Sequence, residues 1–229
     1  MFTTEIDTWD KVEDKLNQLT HKLPLGWGYM SRAVMGEYPC DAFSLGQLMS
    51  KAWLINEYKT HTVHRIRSEP RSVALLGCWL GTLAEPLFRA DCMIERIWGF
   101  DSDQKSVNQS NEFNRKLVNM RWRYKAVCED VNDIDWNSPQ YMVEGQLIEQ
   151  RPSVVINTSA EHMAPDWYHS VAKDQLVILQ TNDNDTIPGH INTVGTEQQL
   201  YAMYPMSNPL YVGAIVMPDY TRFMMIGYK

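Results

Sequence analysis

The chain has no apolar run approaching the roughly 18–20 residues of a membrane span. Its opening stretch, MFTTEIDTWDKVEDKL, is polar and acidic. It lacks both the basic-then-apolar order of a secretory signal and the Arg-rich character of a transit peptide, so a soluble, cytoplasmic protein is expected. Cysteine is scarce. Cys40, Cys78, Cys92 and Cys128 form no CxxC pair and no zinc-like spacing, which predicts four free thiols in a reducing compartment. His61 and His64 have HxxH spacing without a third ligand, so no metal is expected. Basic charge is in deficit as well. A net charge of −7 argues against broad, non-specific binding to DNA or RNA, which depends on neutralising phosphates, but leaves a nucleotide-sized substrate open. Internal repeats, low-complexity tracts and an evident interdomain linker are also missing.

What remains is a globular chain of 229 residues, 44% of them hydrophobic, long enough to bury a core without staples. Ile6, Trp9, Val12, Leu16, Leu19 and Leu23 recur at steps of three and four and predict an amphipathic helix. Pro24, Gly26 and Gly28 break it. A second helix fits SLGQLMSKAWLINEYK, with Leu45, Leu48, Met49, Ala52 and Trp53 on one stripe. Both read as packing elements.

From Ser72 onward short apolar runs alternate with helical stretches. Strands are expected at 72–76, 96–100, 123–127, 153–157 and 175–179, with helices near 82–90, 103–119, 139–150 and 165–173. That alternation predicts a Rossmann-like α/β sandwich, with a mostly parallel sheet between helical layers. PLYVGAIVM and YTRFMMIGY, separated by Pro218-Asp219, predict a C-terminal antiparallel hairpin at the sheet edge, making seven strands. The organisation expected is a helical extension over 1–69 packed on a core domain over 70–229.

Ligands of open α/β sheets sit beyond the carboxyl ends of the strands, which selects five loops. The first is Gly77-Cys78-Trp79-Leu80-Gly81, where the glycines allow a tight turn and close backbone approach to a ligand. The second follows the next strand: Asp101 lies 24 residues after Gly77 and can accept hydrogen bonds from ribose hydroxyls, with Ser102 beside it. Asp103 suits the cap of the following helix. In the third loop, Glu129 and Asp130 precede Val131. A carboxylate beside an apolar side chain suits an adenine ring, and a solvated acidic loop is the plainer alternative. The fourth, INTSAEHMAPDW, offers Asn157, Thr158, Ser159, Glu161 and His162 as a reaction site. The fifth is long and irregular and carries Asn182, Asp183, His190 and Asn192. Arg121, Arg123 and Lys125 alternate along one strand and read as a solvated face.

This order of parts resembles a class I S-adenosylmethionine-dependent methyltransferase over roughly residues 70–229. GCWLG, NTSAEHM, GHINTV and YTRFMMIG look more narrowly like a branch of that family associated with bacteriophages and bacteria. The resemblance implies S-adenosyl-L-methionine as cofactor, held by Gly77, Cys78, Trp79, Gly81, Asp101, Ser102, Glu129, Asp130, Val131 and Asn157. It implies Asn157, Glu161 and His162 as catalytic residues: Asn157 would orient the acceptor, and Glu161 or His162 would remove its proton. Trp79 stands where the family's usual loop has its middle glycine, and its indole either walls the cofactor pocket or fills it. The fourth loop has Thr158-Ser159 where the amino-methylating DNA enzymes carry Pro-Pro, and it has no cysteine for covalent cytosine chemistry. A small-molecule or nucleotide acceptor is therefore favoured, with RNA or protein acceptors open. Transfer of an aminocarboxypropyl group from the same cofactor is a related possibility. The non-enzymatic alternative is a partner-binding protein that presents Trp27, Tyr29, Tyr38 and Trp53 as an interface.

Overall fold

A computed structural model describes residues 2–22, 38–63, 71–90 and 92–229. Leu23, Pro24, Gly26, Trp27, Gly28, Tyr29 and His64 lie outside the described residues, and with them the expected helix break and part of the aromatic surface.

The parallel core follows from the burial of its strands. β2 (Arg71–Leu76), β7 (Val154–Asn157) and β8 (Leu176–Asn182) are buried at every position, as expected for strands covered on both faces. β3 (Ile94–Asp101) and β4 (Tyr124–Cys128) extend the sheet on the other side of β2. All four junctions among these five strands are parallel. The chain runs outward through β2, β3 and β4, then returns to the far side of β2 as β7. That reversal makes β2/β7 the switch point, where consecutive loops diverge and leave a crevice.

The terminal strands β9 (Asn208–Val216) and β10 (Thr221–Tyr228) form the expected antiparallel hairpin, but it does not end the sheet. β10 pairs with β8, and the outer edge of β9 is taken in parallel by β1 (Phe2–Glu5), which makes eight strands in this sheet among the described residues. The helical period beginning at Ile6 concealed β1. Ile6 itself donates its N–H to the Val216 carbonyl at 2.8 Å.

Helices cover the sheet. α1 (Trp9–Lys22) and α2 (Leu45–Tyr58) place Val12, Leu16, Leu19, Met49, Ala52 and Trp53 in one buried cluster with Val73, Ile156 and Ile215. Trp53, only 5% exposed, donates to the Tyr211 hydroxyl, so it belongs to the core and not to an exposed aromatic interface. α3 (Ala84–Arg89) follows the glycine loop. The helix expected near 103–119 is two, α4 (Gln104–Phe113) and α5 (Arg115–Asn119), interrupted at Asn114, whose amide reaches back to the Leu80 carbonyl at 3.1 Å. α6 (Asp166–Ser170) and α7 (Glu197–Met203) complete the set.

The helix expected near 139–150 is instead a hairpin of β5 (Tyr141–Val143) and β6 (Gln146–Ile148). Its two-residue turn, Glu144-Gly145, has φ of 48° and 82°, the left-handed pair that matches strand twist. Tyr141 and Val143 are buried while Met142 is exposed, a period of two. All four cysteines are free thiols, with Cys78 and Cys92 buried.

Candidate functional site

Left-handed backbone shapes the first loop: Gly77, Trp79 and Gly81 have φ of 58°, 45° and 62°. At Gly81 a Cβ would collide with the Tyr124 hydroxyl and lie 2.7 Å from Ser110 Oγ, so only glycine fits. Trp79 has no such freedom. A non-glycine residue held in this region is a local strain, and such strain clusters at functional sites. Asp101, at the end of β3, fixes the loop. Its Oδ2 accepts the Trp79 backbone N–H at 2.9 Å, and its Oδ1 accepts that of Asp103 at 3.1 Å. Asp103 in turn caps α4, accepting from the N–H groups of Lys105 and Ser106. The Ser106 hydroxyl and these amides hold its carboxyl below the usual range.

Beside these loops opens a cleft of about 700 Å³, within the size of small-ligand sites, about 300–1,000 Å³. Gly77, Cys78, Trp79, Asp101, Ser102, Glu129, Asp130 and Val131 line one part. Thr158, Ser159, Glu161, His162 and Met163 line another, with Asp41, Gln47 and Lys51 contributed from the N-terminal region. Trp79 is among the residues that line the cleft.

Three expected site residues sit differently. Gly81 does not line the cleft; its role is the close approach to Tyr124. Cys78 lines it, yet its thiol is buried beside Tyr124, Ser110 and Gly99, and burial reinforced by Asp101 pushes it up to about 12. Asn157 is fully buried and absent from the lining. Its Oδ1 accepts the Ser159 N–H at 2.9 Å and its Nδ2 contacts Met163 Sδ at 3.1 Å, so the amide shapes the fourth loop and is not turned toward an acceptor.

The fourth and fifth loops interlock. The Glu161 carbonyl accepts the N–H groups of Ile191 and Asn192, at 2.8 and 3.0 Å. The Glu161 carboxylate, 3% exposed, takes a hydrogen bond from Asn182 Nδ2 at 2.7 Å and lies 3.5 Å from Arg222 Nη2, both through Oε1. Its Oε2 has no hydrogen-bond partner among the described residues. The fold also brings the His190 ring edge-on to His162, with centroids 4.5 Å apart. Asp183 and Asn192 are spent within the structure, on Thr221 N–H and the Tyr204 hydroxyl. The basic strand residues lie away from the cleft: Arg123 covers Phe88 and Lys125 pairs with Glu144. His61 pairs with Glu57.

Lys51 was not foreseen. On α2 it is 7% exposed, with Nζ donating to Gln47 Oε1 at 2.7 Å. Burial, reinforced by Arg222 and opposed by Asp41, lowers its ammonium from 10.5 to about 7. A lone lysine inside LMSKAWLI was the available signal.

No sequence-family model and no characterised protein sequence matches the chain. Among solved structures, magnesium protoporphyrin IX methyltransferase from Synechocystis PCC 6803 with bound S-adenosylhomocysteine superposes with a TM-score of 0.56 at 12% identity, covering 90% of this chain and 95% of that one. The fold is that of the class I methyltransferases. Geranyl diphosphate C-methyltransferase from Streptomyces coelicolor A3(2), solved with Mg²⁺, geranyl diphosphate and S-adenosyl-L-homocysteine, gives 0.55 at 10% identity over 80% of each chain. An N-methyltransferase from Bradyrhizobium japonicum WM9 gives 0.50 at 9%, covering 78% of this chain and 94% of its own. At such identities the methyltransferase likeness is one of fold, and reaction and ligand must be argued from the cleft.

Proposed function

We propose that the protein is an S-adenosylmethionine-dependent methyltransferase acting on a small molecule or nucleotide. The observation that carries this reading is the meeting, at the switch point of a methyltransferase fold, of the left-handed Gly77 turn, the Asp101 carboxylate and the Asp130-Val131 pair on one cleft. The cleft suits the cofactor chemically. Each Asp101 oxygen accepts one backbone N–H and retains a lone pair, so the carboxylate can still receive two ribose hydroxyls. Asp130 offers an acceptor for an adenine amine, while buried Val131 offers an apolar face. When bound, S-adenosylmethionine supplies an electrophilic methyl group on sulfur.

The chain's own contribution is then to position an acceptor and take its proton. Lys51, Glu161 and His162 line the same cleft as Gly77 and Trp79 of the glycine loop. Lys51 is the strongest base candidate, because an amine titrating near 7 is substantially neutral at neutral pH. On this reading, Lys51 reaches the cleft from α2, within the extension proposed over 1–69 beside a core proposed over 70–229. Among the described residues no helix is long and apolar enough to cross a membrane, in keeping with a proposed cytoplasmic setting. The likeness of GCWLG and NTSAEHM to the phage and bacterial branch supports placing the chain there.

Calorimetric titration with S-adenosylhomocysteine tests the cofactor reading. Micromolar binding by the wild type that weakens in Asp101→Asn supports it. A folded wild type that does not bind rejects it.

A further inference from the structure

The loop after β8 crosses the turn after β7 and delivers His190 to His162, next to the buried Glu161. We propose that Glu161, His162 and His190 form a binding site for a divalent metal of the zinc class, with open positions toward the cleft. One potential ligand atom from each residue lies within 4.8 Å of the others. Two imidazoles and a carboxylate suit zinc and its transition-metal neighbours, whereas magnesium and calcium take oxygen ligands. Three protein ligands are also what a zinc site offers when it leaves a position open.

Two further observations point to a cation. His190 Nδ1 lies 2.5 Å from the Asn184 carbonyl. A carbonyl only accepts, so Nδ1 is the donor, which in the neutral ring leaves the Nε2 lone pair for a ligand role, the outer-sphere hydrogen bond typical of metal-binding imidazoles. Glu161 is the second. Asn182 and Arg222 engage Oε1 and hold the carboxylate, while Oε2 is buried without a donor among the described residues. A metal ion would satisfy that oxygen. The Arg222 guanidinium offsets part of the carboxylate charge, which lowers the expected affinity below that of an unpaired carboxylate. The site's role rests on the methyl-transfer reading: a hydroxyl or thiol of the acceptor would occupy an open position, where a metal favours its deprotonated form, and the neutral amine of Lys51 would receive the proton.

The test uses untagged, full-length protein stripped with chelator and titrated with Zn²⁺ at pH 7.5. One zinc per chain is expected. His190→Ala and His162→Ala should each weaken it by about tenfold or more, since loss of a ligand costs at least what loss of its outer-sphere partner does. His162 is exposed and His190 half-buried, so both variants should fold, as circular dichroism would verify. Co²⁺ in the same site should give visible absorption that His190→Ala abolishes. No zinc binding, or equal affinity in the wild type and both variants, overturns the site. S-adenosylhomocysteine titrated separately keeps the two ideas apart: its failure beside successful zinc binding removes the methyl-transfer role and leaves the metal site standing.

Discussion

Replacing Lys51 by methionine removes a charge that the fold buries. The ammonium is lowered from 10.5 to about 7 in the folded chain, with burial as the main cause. Between those values the unfolded chain holds a proton that the folded chain lacks, so this group makes stability rise with pH. Its penalty is absent above about pH 10.5, builds as the pH falls, and is complete below about pH 7. The full difference is on the order of 5 kcal/mol, from ~1.4 kcal/mol for each pH unit between the two values. Lys51→Met deletes that dependence while leaving every other titrating side chain in place. Urea unfolding of both proteins at pH 7, 8 and 9 reads the effect. The variant should gain most over the wild type at pH 7, and the gap should shrink by about 2 kcal/mol by pH 9. The lost hydrogen bond to Gln47 shifts all three points together and does not alter the trend. A gap independent of pH would refute the reasoning, because it would mean that the amine reaches solvent and titrates normally.

Other substitutions probe the loops. Asp101→Asn should weaken S-adenosylhomocysteine binding by about 1.5–3 kcal/mol, the worth of hydrogen bonds to a charged group, measured by calorimetry. Gly81→Ala drives a methyl group against Tyr124 and Ser110 at a left-handed position; a loss of about 2–5 kcal/mol in chemical denaturation is expected. Asn157→Ala leaves the Ser159 N–H without its acceptor and should cost about 1–3 kcal/mol of stability by the same method. Trp79→Gly relieves a left-handed tryptophan, so its melting temperature should not fall. If the indole faces the sulfonium, the variant should lose about 0.5–2 kcal/mol more with S-adenosylmethionine than with the demethylated product.

The parallel sheet was legible because its signal is local: buried runs such as SVALL and SVVIN are mostly apolar without a polar alternation, and ligand loops must follow their carboxyl ends. Gly77, Asp101 and Asp130 could be read for that reason, since Asp101 ends its strand and Gly77 and Asp130 sit one and two residues beyond theirs. Tertiary consequences were not legible. β1 is four residues long, and its partner lies more than two hundred residues away. The β5–β6 hairpin depended on reading Glu144-Gly145 as a turn inside a stretch that also fits a helix. Asn157 was correctly placed at a strand end, but only the folded loop reveals that its amide is consumed by Ser159 and Met163. His190 and His162 are 28 residues apart, and the crossing of two irregular loops brings them together. Lys51 lies on a helix whose stripe predicts packing alone, and its entry into the cleft depends on how α2 meets the sheet.

The most direct test of the cofactor cleft is a crystal structure of the protein soaked with S-adenosylhomocysteine. The expected result places both ribose hydroxyls on Asp101, adenine between Asp130 and Val131, and the sulfur on the side of the cleft shared with Lys51 and Glu161. Ligand bound elsewhere, or a cleft closed by the Trp79 indole with no ligand in it, would contradict the methyltransferase reading.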